Sequence, residues 1–363
     1  MLTLQPNTQD KMTPLERAQA IAGGRPYDRI RCGLSLGEFK AYLYGVGLDR
    51  LVSSVEDMVN AEITAFNRFG QDGISMGANS YGIADALGAH VSFPCNALPY
   101  ITAPALTDYH MLDDMAPVDP LRDGRIPLFL EACGLLAEQA RGIVGLGSSI
   151  GGPFTIASYL RGVEQLLQDL YKQPQQVHRL MRLVTDSCKR CVDCFSVYQV
   201  SFAMADPVAS GSVISKAAFQ EFVYPYLLEL TAYVQAVTGK KPSFHMCGKT
   251  RRLWPLFRQL QVASISLDNK ADLEEAKAEL GSTVCLAGNV APVEVMLQGS
   301  ESEIDSAVQT CIRKGADSPM GYILGFGCQI PPSTPVQNVD AFMAAARRYG
   351  SYSRLMALTS HLG

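Results

Sequence analysis

At 363 residues the chain has room for one large α/β barrel or two average domains, and its 47% apolar and 18% charged residues are globular values. A net charge of −4 offers no field for binding nucleic acid, and no stretch reaches the roughly 18 uninterrupted apolar residues of a membrane span. Ten cysteines at irregular spacing are too few for a disulfide scaffold and fit core packing or metal ligation in a reducing compartment. With no basic segment followed by an apolar run at its start, the protein is expected in the cytoplasm.

In chain order, residues 1–27 read as an N-terminal extension and helix. The first ten are polar, and Thr13-Pro14-Leu15-Glu16 has the form of a capping box with Pro at the first helical position. Eight short, mostly apolar runs follow, at 30–34, 73–76, 143–146, 202–205, 243–246, 263–267, 283–287 and 322–325. Each leads into a loop of Gly, Asp, Asn, Cys or Pro, as buried parallel strands do. Helical periodicity occupies 162–170, 175–198, 216–237, 273–280 and 301–314. The run ends are spaced roughly 42 residues apart, a unit that fits a (β/α)8 TIM barrel with insertions. A doubly wound sheet is the alternative. Between 78 and 142 stand Pro94, Pro99, Pro104, Pro117, Pro120 and Pro127, with no long helical pattern before Pro127, which predicts an excursion after the second strand that covers one end of the barrel. No linker interrupts the chain, so a single TIM-barrel domain is expected over 1–363, with the barrel at 28–350 and a C-terminal tail at 351–363.

Chemistry in a parallel barrel gathers at the C-terminal strand ends. Here the runs end in Ala205-Asp206-Pro207, His245-Met246-Cys247-Gly248, Leu267-Asp268-Asn269, Ala287-Gly288-Asn289 and Gly327-Cys328. His245 and Cys247 are one residue apart, which on an extended strand points both side chains to one face. Cys328 opens on the same rim if its run is also a barrel strand. One His and two Cys suit Zn²⁺ and leave a fourth position for water or substrate. The other reading makes His245 a hydrogen-bonded core residue and the two cysteines small buried hydrophobes. Asp206, Asp268 and Asn289 fit either substrate contacts at the rim or helix caps and turns. Lys249, Arg251 and Arg252 either hold an anionic substrate tail or are solvated surface charge.

Three further motifs point elsewhere. Cys188, Cys191 and Cys194 have the spacing of an iron–sulfur segment, yet with Val177, Leu180, Met181, Val184, Val192 and Phe195, Cys188 and Cys191 fall on one helical stripe with Cys194 at its edge, which predicts core packing. Residues 145–152, Gly-Leu-Gly-Ser-Ser-Ile-Gly-Gly, lack the Lys of a P-loop and the third Gly of G-x-G-x-x-G, so a backbone-lined substrate pocket is expected there. Asp108-Tyr109-His110 begins like a corrinoid-binding loop but ends in Asp113 where Gly belongs, so His110 is expected to be a loop residue.

The sequence resembles the uroporphyrinogen decarboxylase superfamily, and within it the zinc-dependent methylcobalamin:thiol methyltransferases, including those of coenzyme M. The resemblance runs from Thr13-Pro14-Leu15-Glu16-Arg17 through Gly151-Gly152-Pro153-Phe154-Thr155, Ala205-Asp206-Pro207, His245-Met246-Cys247-Gly248 and Gly288-Asn289-Val290-Ala291-Pro292 to Gly327-Cys328, Ile330-Pro331-Pro332-Ser333-Thr334-Pro335 and Asn338. It implies a (β/α)8 barrel, zinc held by His245, Cys247 and Cys328, a small thiol substrate, and methylcobalamin or another methylcorrinoid as co-substrate, brought free or by a corrinoid-carrying protein. The decarboxylase branch carries an arginine-rich segment after the first strand and an Asp after the second. This chain has no Arg between Arg31 and Arg50 and reads Gly77-Ala78-Asn79-Ser80 after the second run, so a tetrapyrrole lyase is the lesser alternative. A corrinoid-loading methyltransferase with another donor or a folate acceptor is a further one.

Overall fold

The computed structural model describes residues 1–95 and 97–360, so the end of the tail expected at 351–363 lies outside the described residues. Its described part contains a helix, Tyr352–Ser360. Eight parallel strands form one sheet: β1 Cys32–Gly33, β2 Ile74–Ser75, β3 Leu146–Gly151, β4 Ser201–Ala205, β5 Ser243–Met246, β6 Ser264–Leu267, β7 Cys285–Val290 and β8 Tyr322–Phe326. Their order is β1-β8-β7-β6-β5-β4-β3-β2. The two edge strands meet where the Asp72 N–H donates to the Cys32 carbonyl at 2.8 Å and the Asp72 carboxylate accepts the Cys32 N–H at 2.7 Å. A parallel sheet closed on itself and wrapped in helices is the (β/α)8 barrel expected from the spacing of the apolar runs.

The strands alternate between two environments. Phe202 and Met204, Phe244 and Met246, and Ile265 and Leu267 are buried against the helices. The opposite positions are small: Ser149, Ser201, Ala203, Ser243, Ser266 and Ala287 face the barrel axis, and Ser201 and Ala203 are exposed although they lie inside the sheet. The barrel therefore has an open lumen rather than layers of branched side chains.

Three expectations need correction. The third strand is not 143–146 but Leu146–Gly151, and the segment expected as a pocket-lining loop is that strand. Gly147 and Ser149 face the lumen while Ile150 packs outward, so an apolar run never marked it. The excursion also holds structure that its prolines concealed: a helix Asn79–Ala86, an antiparallel pair His90–Ser92 with Tyr100–Ala103, and a 3₁₀ turn Tyr109–Asp113 that carries His110 on the surface. The helix expected over 216–237 starts at Lys216–Ala218, widens into a π turn at Phe219–Val223, and continues as Tyr224–Thr238, with Pro225, which has no N–H to donate, just past the π turn.

At the N-terminus the capping box forms as read, Thr13 and Glu16 bonding reciprocally at the start of Pro14–Ala22. Arg17 and Arg29, almost wholly buried, bind Asp28 at 2.6 Å and Asp10 at 2.7 Å, and the Asp72 carboxylate bridges them, lying 2.6 Å from Arg29. The acid that joins β1 to β2 is thus also the centre of the network that holds the N-terminal extension.

Candidate metal centre

β5 ends with its apolar residues turned outward, which leaves His245 facing the lumen. Its Nδ1 lies 3.2 Å from the Ser266 carbonyl, an atom that only accepts, so Nδ1 carries the proton and Nε2 is bare. Nε2 lies 3.3 Å from the Cys247 Sγ, and the Cys247 and Cys328 sulfurs are 3.5 Å apart. Among the described residues these three form the group whose ligand atoms all fall within 4.8 Å of one another.

Glycine permits the convergence at two points. Gly248 takes φ +75 directly after Cys247, and its N–H donates to the Asp268 carboxylate at 2.7 Å. A Cβ on Gly327 would lie 2.4 Å from the Asn269 nitrogen, so only glycine lets the chain before Cys328 pass the β6 loop. Cys328 is held low, at about 4, by the Cys247 S–H, His245 and the Gln329 N–H, against burial; Cys247 is pushed up by the same contact. Two cysteine sulfurs beside an imidazole nitrogen are a donor set that fits Zn²⁺.

A family model for uroporphyrinogen decarboxylase (URO-D) matches residues 13–349. The chain belongs to this family. Within it, the chain is 25% identical over 340 residues to the methylcobamide:CoM methyltransferase MtaA of Methanosarcina barkeri, covering 92% of this chain and 97% of that protein. It is 26% identical over 270 residues to a methylated-thiol–coenzyme M methyltransferase of Methanosarcina mazei, covering 73% and 69%. It is also 24% identical over 313 residues to the uroporphyrinogen decarboxylase of Trichodesmium erythraeum, covering 83% and 84%. A solved structure, a methyltransferase from Methanosarcina mazei, superposes with a TM-score of 0.81 at 22% identity over 93% of this chain and 99% of that one, which supports the barrel fold.

The other residues singled out in this member of the family are engaged by its backbone. Asp206 is fully buried and accepts the Phe154 and Thr155 N–H groups at 3.2 and 2.7 Å and the Thr155 hydroxyl at 2.6 Å, capping the helix Pro153–Arg161. Burial raises its carboxyl to about 6, while those hydrogen bonds pull it down. Asp268 accepts the Gly248 and Lys270 N–H groups, at 2.7 and 2.8 Å. The Asn289 side-chain amide donates to the Asp268 and Ala271 carbonyls, at 3.0 and 2.8 Å. These three hold strand ends and loops together. Arg251 is paired with Glu275 and Glu279, whereas Lys249 and Arg252 are exposed. Cys188 and Cys191 are buried on the helix Pro174–Ser196, and all ten cysteines are free thiols.

Three neighbours escaped the sequence reading. Ser266 orients His245, and Gln329 donates to Glu38, joining the loop after β1 to Cys328. Tyr159 stacks on Tyr81 with ring centroids 4.8 Å apart; burial raises its hydroxyl most, then its contact with Tyr81. The signal for Tyr159 was its place on the helix that Asp206 caps.

Proposed function

We propose that this chain is a zinc-dependent methyltransferase that moves a methyl group from a methyl-Co(III) corrinoid to a thiol acceptor such as coenzyme M. The observation that carries the reading is the meeting of His245 Nε2, Cys247 Sγ and Cys328 Sγ within 4.8 Å at the mouth of an open barrel. His245, Cys247 and Cys328 would hold Zn²⁺, leaving one position for the substrate thiol. Bound there, the metal supplies Lewis acidity that keeps an incoming thiol as thiolate at neutral pH.

The chain's own residues prepare the site. Ser266 fixes the His245 tautomer so that Nε2 is available, Asp268 holds the turn that presents Cys247, and Gly327 brings Cys328 close. The acceptor sulfur forms the new S–CH3 bond as the Co–C bond breaks, and the bonding pair leaves on cobalt as Co(I). Curated relatives that act on methylcobamide and coenzyme M support this assignment. The corrinoid is expected to arrive free or on a small corrinoid protein, since His110 lies on a surface turn without the glycine such a loop requires. Free thiols throughout fit a cytoplasmic enzyme.

The deciding experiment is methyl transfer from methylcobalamin to a panel of thiols by the zinc-loaded enzyme. Thiol methylation with release of Co(I) supports the proposal. Metal-independent turnover of a porphyrinogen, with no thiol methylated, assigns a lyase instead.

A further inference from the structure

Among the described residues, the lumen-facing positions beneath the candidate metal centre carry serines, small side chains, Cys285 and Ile323, and Arg31 stands just before the first strand. Cys32 is fully buried toward the helices, so its neighbours Arg31 and Gly33 face the lumen, and Gly33 is exposed there. Arg31 has no ion pair or side-chain hydrogen bond among the described residues, unlike Arg17 and Arg29 close by in sequence. Its charge reaches the lumen-facing Cys285 thiol, which burial raises and Arg31 lowers. No carboxylate stands at the lumen-facing strand positions; Ser149, Ser201, Ser243, Ser264 and Ser266 do.

The register places Arg31 well below the metal ligands. His245, Ser266, Ala287 and Ile323 are successive partners across β5, β6, β7 and β8. Cys247 lies two residues beyond His245 and Cys328 five beyond Ile323, yet their sulfurs are 3.5 Å apart. The stagger of the barrel therefore sets Ile323 about three residues, on the order of 10 Å, deeper than His245. Arg31, whose carbonyl accepts the Leu324 N–H at 2.9 Å, stands beside Ile323 on the next strand.

From this we infer that Arg31 is the anion subsite of the acceptor pocket, and that the acceptor is an extended thiol whose carboxylate, sulfonate or phosphate lies several bonds beyond its sulfur. The inference rests on the thiol-acceptor reading above and narrows its acceptor from coenzyme M to a longer anionic thiol. A planar guanidinium at the floor pairs bidentately with such a group, while the serines and small residues leave room for the chain between.

Two measurements test it. In the first, transfer rates are compared for mercaptoethanesulfonate, mercaptohexanesulfonate and neutral mercaptohexanol. The wild type should favour the long sulfonate. Arg31→Met should raise its KM about tenfold or more with kcat little changed, leave mercaptohexanol unaffected, and be partly rescued by Arg31→Lys. Ala203→Leu, which fills the lumen without touching Arg31, should impair the long thiol and spare the short one. In the second, calorimetry with hexanesulfonate, which has no thiol, should show binding to the wild type that Arg31→Met loses.

Thiol turnover with no preference for a distant anion, or hexanesulfonate binding that is absent or unchanged in Arg31→Met, makes Arg31 a solvated floor residue and overturns the inference. Hexanesulfonate binding that depends on Arg31, without methylation of any thiol, keeps the anion site and rejects the thiol-acceptor reading.

Discussion

The Asp268 carboxylate, at the end of β6, accepts the backbone N–H of Gly248 at 2.7 Å and so holds the turn that presents Cys247 on the neighbouring strand. Its other oxygen accepts the Lys270 N–H at 2.8 Å, which fixes the carboxylate itself. Asp268→Ala removes both acceptors and leaves the Gly248 N–H without its partner. Zinc affinity, measured by competition with a chromogenic chelator, should fall about 10- to 100-fold while the fold persists. Asp268→Asn keeps one acceptor toward Gly248 and should retain most of the affinity. Unchanged affinity in Asp268→Ala would mean that the turn holds its shape without the carboxylate.

Cys247→Ser and Cys328→Ser each replace a sulfur donor with a harder, weakly acidic hydroxyl. Elemental analysis should find about one zinc per wild-type chain and little in either variant, with circular dichroism unchanged. Thiol-dependent transfer should disappear with the metal. Full activity in a zinc-free double variant would defeat the proposed mechanism.

How far the sequence could be read depended on which face of each strand carried the signal. β5 and β6 were legible because Phe244, Met246, Ile265 and Leu267 face the helices and form apolar runs. β3 was displaced because Gly147 and Ser149 suit a lumen rather than a core, and with the small Ser148 between them the run looks like a loop. His245, Cys247 and Cys328 stood out because thiolate and imidazole donors at strand ends are unusual. The roles of Asp206, Asp268 and Asn289 could not be read in advance, since a carboxylate or amide at a strand end suits a substrate or a backbone N–H equally. Only the three-dimensional path of Pro153–Arg161 and of the β6 loop brings those backbone groups to them. Arg31 was visible only as the last arginine before a long gap; its meaning depends on the stagger of the barrel.

Asp206 should matter through the helix it caps. Asp206→Ala removes the acceptor of the Phe154 and Thr155 N–H groups and of the Thr155 hydroxyl inside the protein. The expected loss is about 1–3 kcal/mol in urea unfolding. Because Tyr159 sits on the same helix and stacks on Tyr81, the mouth should loosen as well, seen as faster hydrogen exchange across 153–161. Asp206→Asn, which retains one acceptor, should cost less. Equal loss of activity in both variants with unchanged exchange would point to a direct chemical role for the carboxylate.

Acid should release the N-terminal extension first. Burial raises the Asp28 carboxyl, but the hydrogen bond and charge of Arg17 outweigh it and the net shift is downward from 3.8; for Asp10, Arg29 and Arg347 do the same. A carboxylate whose folded pKa lies below its unfolded value contributes stability that is fully present above the unfolded pKa and is lost as pH falls through the folded one. The melting temperature should therefore be nearly flat above about pH 5 and fall increasingly below about pH 4. Asp28→Asn leaves Arg17, which is wholly buried, short of one partner, and should cost about 3–5 kcal/mol at pH 7 while flattening the acid limb. Added salt should change little at neutral pH, because Asp28 and Asp10 expose only 7% and 5% of their side chains. Scanning calorimetry of both proteins from pH 3 to 8 reads these effects together. An acid limb as steep in Asp28→Asn as in the wild type would assign the transition to carboxylates elsewhere.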